Sequence, residues 1–295
     1  MKIKKIGKTT DKKDLEYYVK HRVIPVRFCY PKNGGNRWHR LRQSESYKLG
    51  KRELKTFSDG LTKIIDLIGE QINIVHLGPG DGIEIPILFN VFNLNDGRYA
   101  GVDISEQMIY NTVRLNKSYF SDINPLWYLT DIEARGNLEL VCADVKSKGM
   151  NKNLILLTNQ GVLLSNLEIL KNIHNSMHKQ DYLFITIEGD DANKRDEIIA
   201  TYNLRETRSL LSEGLKKAGY KSCDGTFRTC FNDSKSMVEV YFKPKNESEI
   251  LCLTSYKPRE NEFRRRLKDS GFDIPFLKFY EDIHTFAVLC RKEEK

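Results

Sequence analysis

The chain has 295 residues, 40% of them hydrophobic, and carries 48 Lys/Arg against 40 Asp/Glu for a formal net charge of +8. That length can bury a sizeable core and suits one large domain, or one domain with a smaller companion. Its longest apolar runs, Ile72 to Leu77 and Leu154 to Leu157, fall far short of the roughly 20 residues that cross a bilayer, and no apolar stretch follows the basic amino terminus as in a secretory signal, so a cytoplasmic protein with no membrane partner is expected.

Residues 1 to 56 hold 17 Lys/Arg against 5 Asp/Glu, a balance of +12 that leaves −4 for the remainder. A basic arm of this kind, interleaved with Tyr17, Tyr18, Phe28, Tyr30 and Trp38, suits nucleic acid or an acidic substrate, and a Lys-rich terminus also serves solubility. From about residue 72 short β-branched runs alternate with helical stretches, the pattern of a parallel sheet covered by helices on both faces. Ile72–Leu77 reads as the first strand, Arg98–Asp103 as the second, Leu138–Cys142 as the third, Asn153–Thr158 as the fourth and Asp181–Ile187 as the fifth. Ser105 suits the N-cap of a helix through Leu115, and Leu167–Ile173 is apolar at helical spacing. The stretch Ser118 to Gly136, with Trp127 and Tyr128, reads as helical. Tyr202 to Gly219 reads as one helix, followed by a hairpin of Ser236–Phe242 and Ile250–Tyr256, a helix from Glu260 to Ser270, and a closing strand His284–Cys290. The expected architecture is therefore α/β: a Rossmann-like body of residues 57–189 plus 257–295, and a second, smaller lobe of residues 1–56 plus 190–256.

The six cysteines form no C-x-x-C pair and are expected as reduced core residues, with no metal site. The chemistry concentrates in His76-Leu-Gly-Pro-Gly-Asp-Gly82, directly after the first strand. Gly78, Gly80 and Gly82 allow a tight turn and close approach of a ligand. Asp103 closes the next strand, 21 residues past Gly82, where a carboxylate accepts from two ribose hydroxyls, with Ile104 beside it. A nicotinamide site wants G-x-G-x-x-G, but the third glycine position is Ile83, so the spacing favours S-adenosylmethionine (SAM). Asp144 and Val145, just past the assigned third strand, stand where an adenine amino group would be read. Capping of the following helices is the competing role for both acids. After the fourth strand, Asn159 and Gln160 suit either a turn or the place where donor and acceptor meet; no N-P-P-Y motif of nucleobase-amino methyltransferases stands there.

Val75-His-Leu-Gly-Pro-Gly, Tyr99-Ala-Gly-Val-Asp-Ile-Ser105, Gly161-Val-Leu-Leu-Ser-Asn-Leu167, Ala200-Thr-Tyr-Asn-Leu204 and the hairpin together resemble the histidine-specific SAM-dependent methyltransferases of the ergothioneine pathway. The resemblance implies a class I methyltransferase sheet, SAM as donor, and donor contacts from His76, Gly78, Pro79, Gly80, Gly82, Asp103, Ile104, Asp144, Val145 and Asn159. It carries acceptor-binding roles onto Asn166, from the family's Gly-Asn-Phe, and onto Tyr47, from its Tyr-Tyr-Pro-Thr-Arg segment. Helix capping competes for Asn166 and simple packing for Tyr47. Gln160, Tyr202 and Ser255 complete the expected acceptor pocket; no catalytic residue is assigned.

Two positions depart from the family. His76 replaces a Glu before the first glycine. In Cys252-Leu-Thr-Ser-Tyr-Lys257, Leu253 replaces the Glu that recognises the imidazole, while Ser255 survives. Loss of a charged partner in a buried site costs on the order of 2–5 kcal/mol, so the expected acceptor is an amino group of an amino acid or related small molecule other than histidine. The competing expectations are a methyltransferase of nucleic acid or peptide, engaged through residues 1–56, and a non-catalytic binding protein.

Overall fold

A computed structural model describes residues 1–7, 12–30, 32, 34–92, 94, 98–158 and 160–293. The chain opens with β1 (Ile3–Lys5), α1 (Lys12–Lys20), α2 (Gly34–Gln43) and α3 (Leu49–Ile68), and continues through β2 (Asn73–Leu77), α4 (Ile85–Val91), β3 (Tyr99–Asp103), α5 (Glu106–Leu115), β4 (Leu126–Leu129) and α6 (Asn137–Lys146). There follow β5 (Asn153–Thr158), α7 (Gly161–Leu164), α8 (Leu167–Ser176), β6 (Tyr182–Glu188), α9 (Arg195–Tyr202) and α10 (Arg205–Lys217). The remainder is β7 (Gly225–Asn232), β8 (Met237–Pro244), β9 (Ile250–Tyr256), α11 (Glu260–Asp269), β10 (Phe272–Tyr280) and β11 (Thr285–Lys292).

Eight strands form the main sheet in the order β1-β4-β3-β2-β5-β6-β11-β10, and β7-β8-β9 form a separate antiparallel sheet. The pairs from β1 to β6 are parallel; β11 runs antiparallel to β6 and β10 antiparallel to β11. Strands β2, β3 and β5 are buried along their whole length, as their apolar composition demands of strands covered on both faces. Alternate side chains feed two cores: Val75, Val102 and Ile155 on one face, Ile74, Tyr99 and Leu156 on the other. Beyond β2 the chain first winds outward through β3 and β4, then returns to add β5 and β6 on the other side. That reversal opens a crevice beyond the carboxyl ends of the strands, at the β2/β5 boundary.

The third strand is not where the sequence reading put it. Leu138–Cys142 lies in helix α6, whose buried residues Leu138, Val141, Cys142 and Val145 follow helical spacing while Leu140 is exposed. The strand is β4 instead, in the stretch read as helical; Trp127 fills the space beside Gly101, where a Cβ would enter the indole ring. The helix read over Tyr202–Gly219 is α10, Arg205–Lys217; it starts three residues later because Leu204 is extended at φ −59° and ψ 147°, and Tyr202 ends the preceding helix α9. Strands β1, β7 and β10 lie outside the sequence reading; β10 carries Pro275 beside a register shift on the sheet edge, where the missing N–H is harmless.

The third core cluster draws its buried residues from 15–29 and 198–253, including Ile24, Phe28, Leu211 and Phe242. Two features cross the division at residue 56. β1 pairs with β4 in the main sheet, and α3 runs through the boundary to rest Gly60 against Ala287 and Phe184. Among the described residues no helix is long and apolar enough to cross a membrane.

Candidate functional site

The crevice is a cavity of about 390 Å³, within the range of small-molecule sites. Its floor follows the strand order, so each residue's place along it is set by the strand that carries it. Gly78 and Gly80 sit at φ +61° and +62°, in the left-handed region that only glycine enters freely. A Cβ on Gly78 would come 2.7 Å from Gln160 Nε2, and one on Gly80 would come 3.1 Å from Trp38 Nε1. The loop is held from behind, where Thr112 Oγ1 donates to Gly80 O at 2.7 Å and Asn116 Nδ2 to Asp81 O at 2.9 Å. Pro79 and Ile104 line the same end.

Asp103, at the tip of β3, accepts from the Ser105 amide at 2.8 Å, while Ser105 caps α5. Among the described residues no cation faces its carboxyl, and burial pushes it up to about 7 despite the amides of Ser105 and Ile104. A buried acid without a cation, beside a glycine loop, suits two ribose hydroxyls. The cradle therefore fits an adenosyl donor. Past β4, Asp131 and Ile132 continue the wall, with Arg27 Nε 3.8 Å from Asp131.

At the other end the lining comes from distant elements. Tyr202 donates to Ser255 Oγ at 2.8 Å. Lys257 Nζ pairs with Glu188 Oε2 at 2.7 Å and lies 5.3 Å from the Tyr202 ring centroid. Burial works against the Lys257 ammonium, but Glu188 and Tyr202 hold it above its usual range. Tyr47 stands edge-on to Trp38 at 6.2 Å, under the guanidinium of Arg42. Asn166 is the cap of α8, its Oδ1 accepting from Glu168 N at 3.0 Å, and it lines the cleft wall, where its Nδ2 donates to Glu133 Oε1 at 2.9 Å.

Gly78, Pro79, Gly80, Asp103, Ile104, Tyr47, Gln160, Asn166, Tyr202 and Ser255 are thus brought to one cavity. Four other expected residues are not. His76 is fully buried within the sheet, its ring nitrogens 3.2 Å from Tyr99 Oη and 3.4 Å from Thr158 Oγ1, because strand alternation turns it into the core; burial lowers it to about 3 and keeps it neutral. Gly82 faces α4 and α5, where a Cβ would meet Ile85 and Asn116. Val145 is buried in the core beneath α6. Asp144 lies on the same helix, bound by Tyr128 Oη at 2.6 Å, Lys148 at 2.9 Å and Lys4 at 3.0 Å; burial alone would raise it, but these partners hold it at about 2. The acid that follows the true third strand is Asp131. Asn159 lies outside the described residues.

The sequence reading passed over Arg42, Glu53, Glu84, Glu188 and Lys257, all of which line the cavity. Signals for two were present. Glu53 interrupts the apolar stripe Leu49, Phe57, Leu61, Ile64, Ile68 of α3, and Glu188 ends a buried strand at its carboxyl edge. Glu84 stands next to Thr158 at 3.4 Å, so an acid does reach the loop despite His76; burial pushes it up to about 7. Among the described lining residues, acids at 53, 81, 84, 103, 131, 133 and 188 outnumber Arg27, Arg42 and Lys257, in a chain of net charge +8.

A family model described as histidine-specific methyltransferase, SAM-dependent, matches residues 12–290. A solved structure of magnesium protoporphyrin IX methyltransferase from Synechocystis PCC 6803 with bound SAH is similar at 12% identity and a TM-score of 0.50, over 96% of this chain and 100% of that one. A SAM-dependent methyltransferase from Clostridium acetobutylicum ATCC 824 matches at 12% identity and a TM-score of 0.48, over 81% and 92% of the two chains. At such identity the first speaks for the fold alone, an α/β methyltransferase sheet. A search of curated proteins returned no match.

Proposed function

Because the chain belongs to the histidine-specific, SAM-dependent methyltransferase family, with SAM as its methyl donor, we propose that its acceptor is an amino group of an amino acid or related small molecule other than histidine. SAM supplies an electrophilic methyl group on a sulfonium, so the chain's own residues have three tasks: binding, alignment and exclusion of water. Gly78 and Gly80 give the donor room, and Asp103 would hold its ribose. The acceptor end, from Gln160 to Tyr202 and Ser255, would set a neutral nitrogen in line with the methyl carbon, and the proton freed from the product ammonium leaves to a base or water.

The observation that carries this reading is the acidic lining of a small cavity. Seven carboxyl groups offer hydrogen-bond acceptors to the N–H groups of an amine, whereas a phosphate-bearing acceptor would find few free donors among them. Leu253, buried in the hairpin wall, offers no acceptor to an imidazole N–H. Calorimetry with S-adenosylhomocysteine tests the donor half: Asp103→Ala is expected to bind about 100-fold more weakly than wild type through loss of charge-assisted hydrogen bonds. Equal binding would remove Asp103 from the site. A mass-shift screen with labelled donor across amino acids and peptides tests the acceptor half; methylated histidine as the main product would refute it.

A further inference from the structure

Glu53 is a charged side chain of the cleft whose carboxyl oxygen Oε2 is held by no hydrogen bond among the described residues, only by the ion-pair approach of Arg42. It is 3% exposed, on the face of α3 that also buries Phe57 and Leu61. Its Oε2 has no hydrogen-bond partner among the described residues. The guanidinium of Arg42 comes no nearer than 4.0 Å, beyond hydrogen-bond reach, and Lys257 is turned to Glu188. Burial raises the Glu53 carboxyl well above its usual range, against the pull of Arg42 and Lys257, and the neighbouring Glu188 and Glu84 raise it further. A side chain with only a packing role at this position would be apolar, since an unpaired buried carboxyl works against folding. Its presence in the wall of a ligand cavity calls for a ligand.

The sheet order says which ligand. Asp103 stands on β3 and Glu188 on β6, on opposite sides of the β2/β5 boundary. The first turns of α3 lie over the carboxyl end of β6, where Arg52 reaches Glu188, so Glu53 stands among Arg42, Glu84, Glu188 and Lys257, with Asp103 not among its neighbours.

We propose that Glu53 is a specificity-determining residue that receives a cationic nitrogen group, an ammonium or a guanidinium, carried by the acceptor. The proposal rests on the amino-acid reading of the cleft. It moves the charge recognition absent at Leu253 from the hairpin to α3. It also constrains the acceptor: a nitrogen held as a cation has no lone pair to attack a methyl group, so the methylated nitrogen is a second one on the same molecule.

The protein saturated with S-adenosylhomocysteine would be titrated with L-lysine and L-arginine, and with their uncharged counterparts norleucine and citrulline. The charged member of each pair is expected to bind about 10-fold tighter or better. Glu53→Gln should reduce that preference to within about 3-fold, with S-adenosylhomocysteine affinity unchanged. No charge preference in the wild type, or a preference that survives Glu53→Gln, overturns the proposal. Glu53→Leu supplies a control on folding: its Tm is expected to hold or rise, and a fall of more than about 5 °C would assign Glu53 a structural role and overturn it equally. Failure of the wild type to bind S-adenosylhomocysteine is a separate result, which would sink the donor reading.

Discussion

At the donor end the cleft is shaped by backbone: two glycines at positive φ, a strand tip and a helix cap, all within residues 78 to 108. At the acceptor end it is shaped by charged side chains, with Arg42, Glu53, Glu188 and Lys257 arriving from four separate parts of the chain. Among the described residues, the donor end leaves Asp103 without a cation, a carboxyl that the ribose hydroxyls of SAM would complete under the proposed reading. The acceptor end instead balances Glu188 within the protein, against Lys257, and leaves Glu53 Oε2 without a hydrogen bond, with Arg42 4.0 Å away.

Breaking the pair at the acceptor end should have the largest effect. Lys257→Met strands Glu188 at 3% exposure, with Arg52 Nη1 3.6 Å away as a remaining cation. Urea unfolding is expected to show a loss of about 3 kcal/mol, most of it restored when Glu188→Gln is added. Asp103→Asn at the donor end should hold or gain stability at pH 8, because it removes an acid that burial disfavours. A loss there as large as that of Lys257→Met would erase the distinction between the two ends.

A pH dependence of donor affinity should come next. A carboxyl raised in the folded state from its ordinary 3.8 to about 7 lowers folding stability as pH climbs through that window, and the loss levels off above it. Ribose hydroxyls donate to the ionised form, so S-adenosylhomocysteine affinity is expected to rise by up to about 10-fold per pH unit below 7 and to flatten above. Calorimetry from pH 5.5 to 8.5 checks the slope. Asp103→Asn should abolish it, and Glu84→Gln, which removes the other acid near 7, should leave it in place. The smallest effect separates the two acids after the third strand: Asp131→Asn is expected to weaken S-adenosylhomocysteine by about 5-fold, and Asp144→Asn to leave its affinity unchanged. The reverse order would return the adenine contact to α6.

Why Asp144 was chosen from sequence and Asp131 was not is a matter of period. Leu138-Glu-Leu-Val-Cys142 is short, apolar and rich enough in β-formers to pass for a buried strand, and only its burial at i, i+3, i+4 and i+7 reveals the helix. With the strand displaced by a dozen residues, the acid read after it was displaced as well. His76 was misplaced for a different reason: its position in the loop motif was right, but strand alternation decides whether a side chain at a strand end faces ligand or core.

The sequence by itself determined the parts that depend on neighbours in the chain: the glycine loop, Asp103 at the next strand tip, the Ser105 cap, the buried strands β2, β3, β5 and β6 and the β8–β9 hairpin. Each follows from backbone conformation or from periodicity over a few residues. Only the tertiary structure decided which acids share the cleft, that Lys257 pairs with Glu188, and that Glu53 Oε2 is left without a hydrogen bond among the described residues, 4.0 Å from Arg42. Those facts depend on strand order and on helix α3 crossing the sheet, which bring together side chains up to about two hundred residues apart, as Glu53 and Lys257 are, and no local rule carries information over that distance.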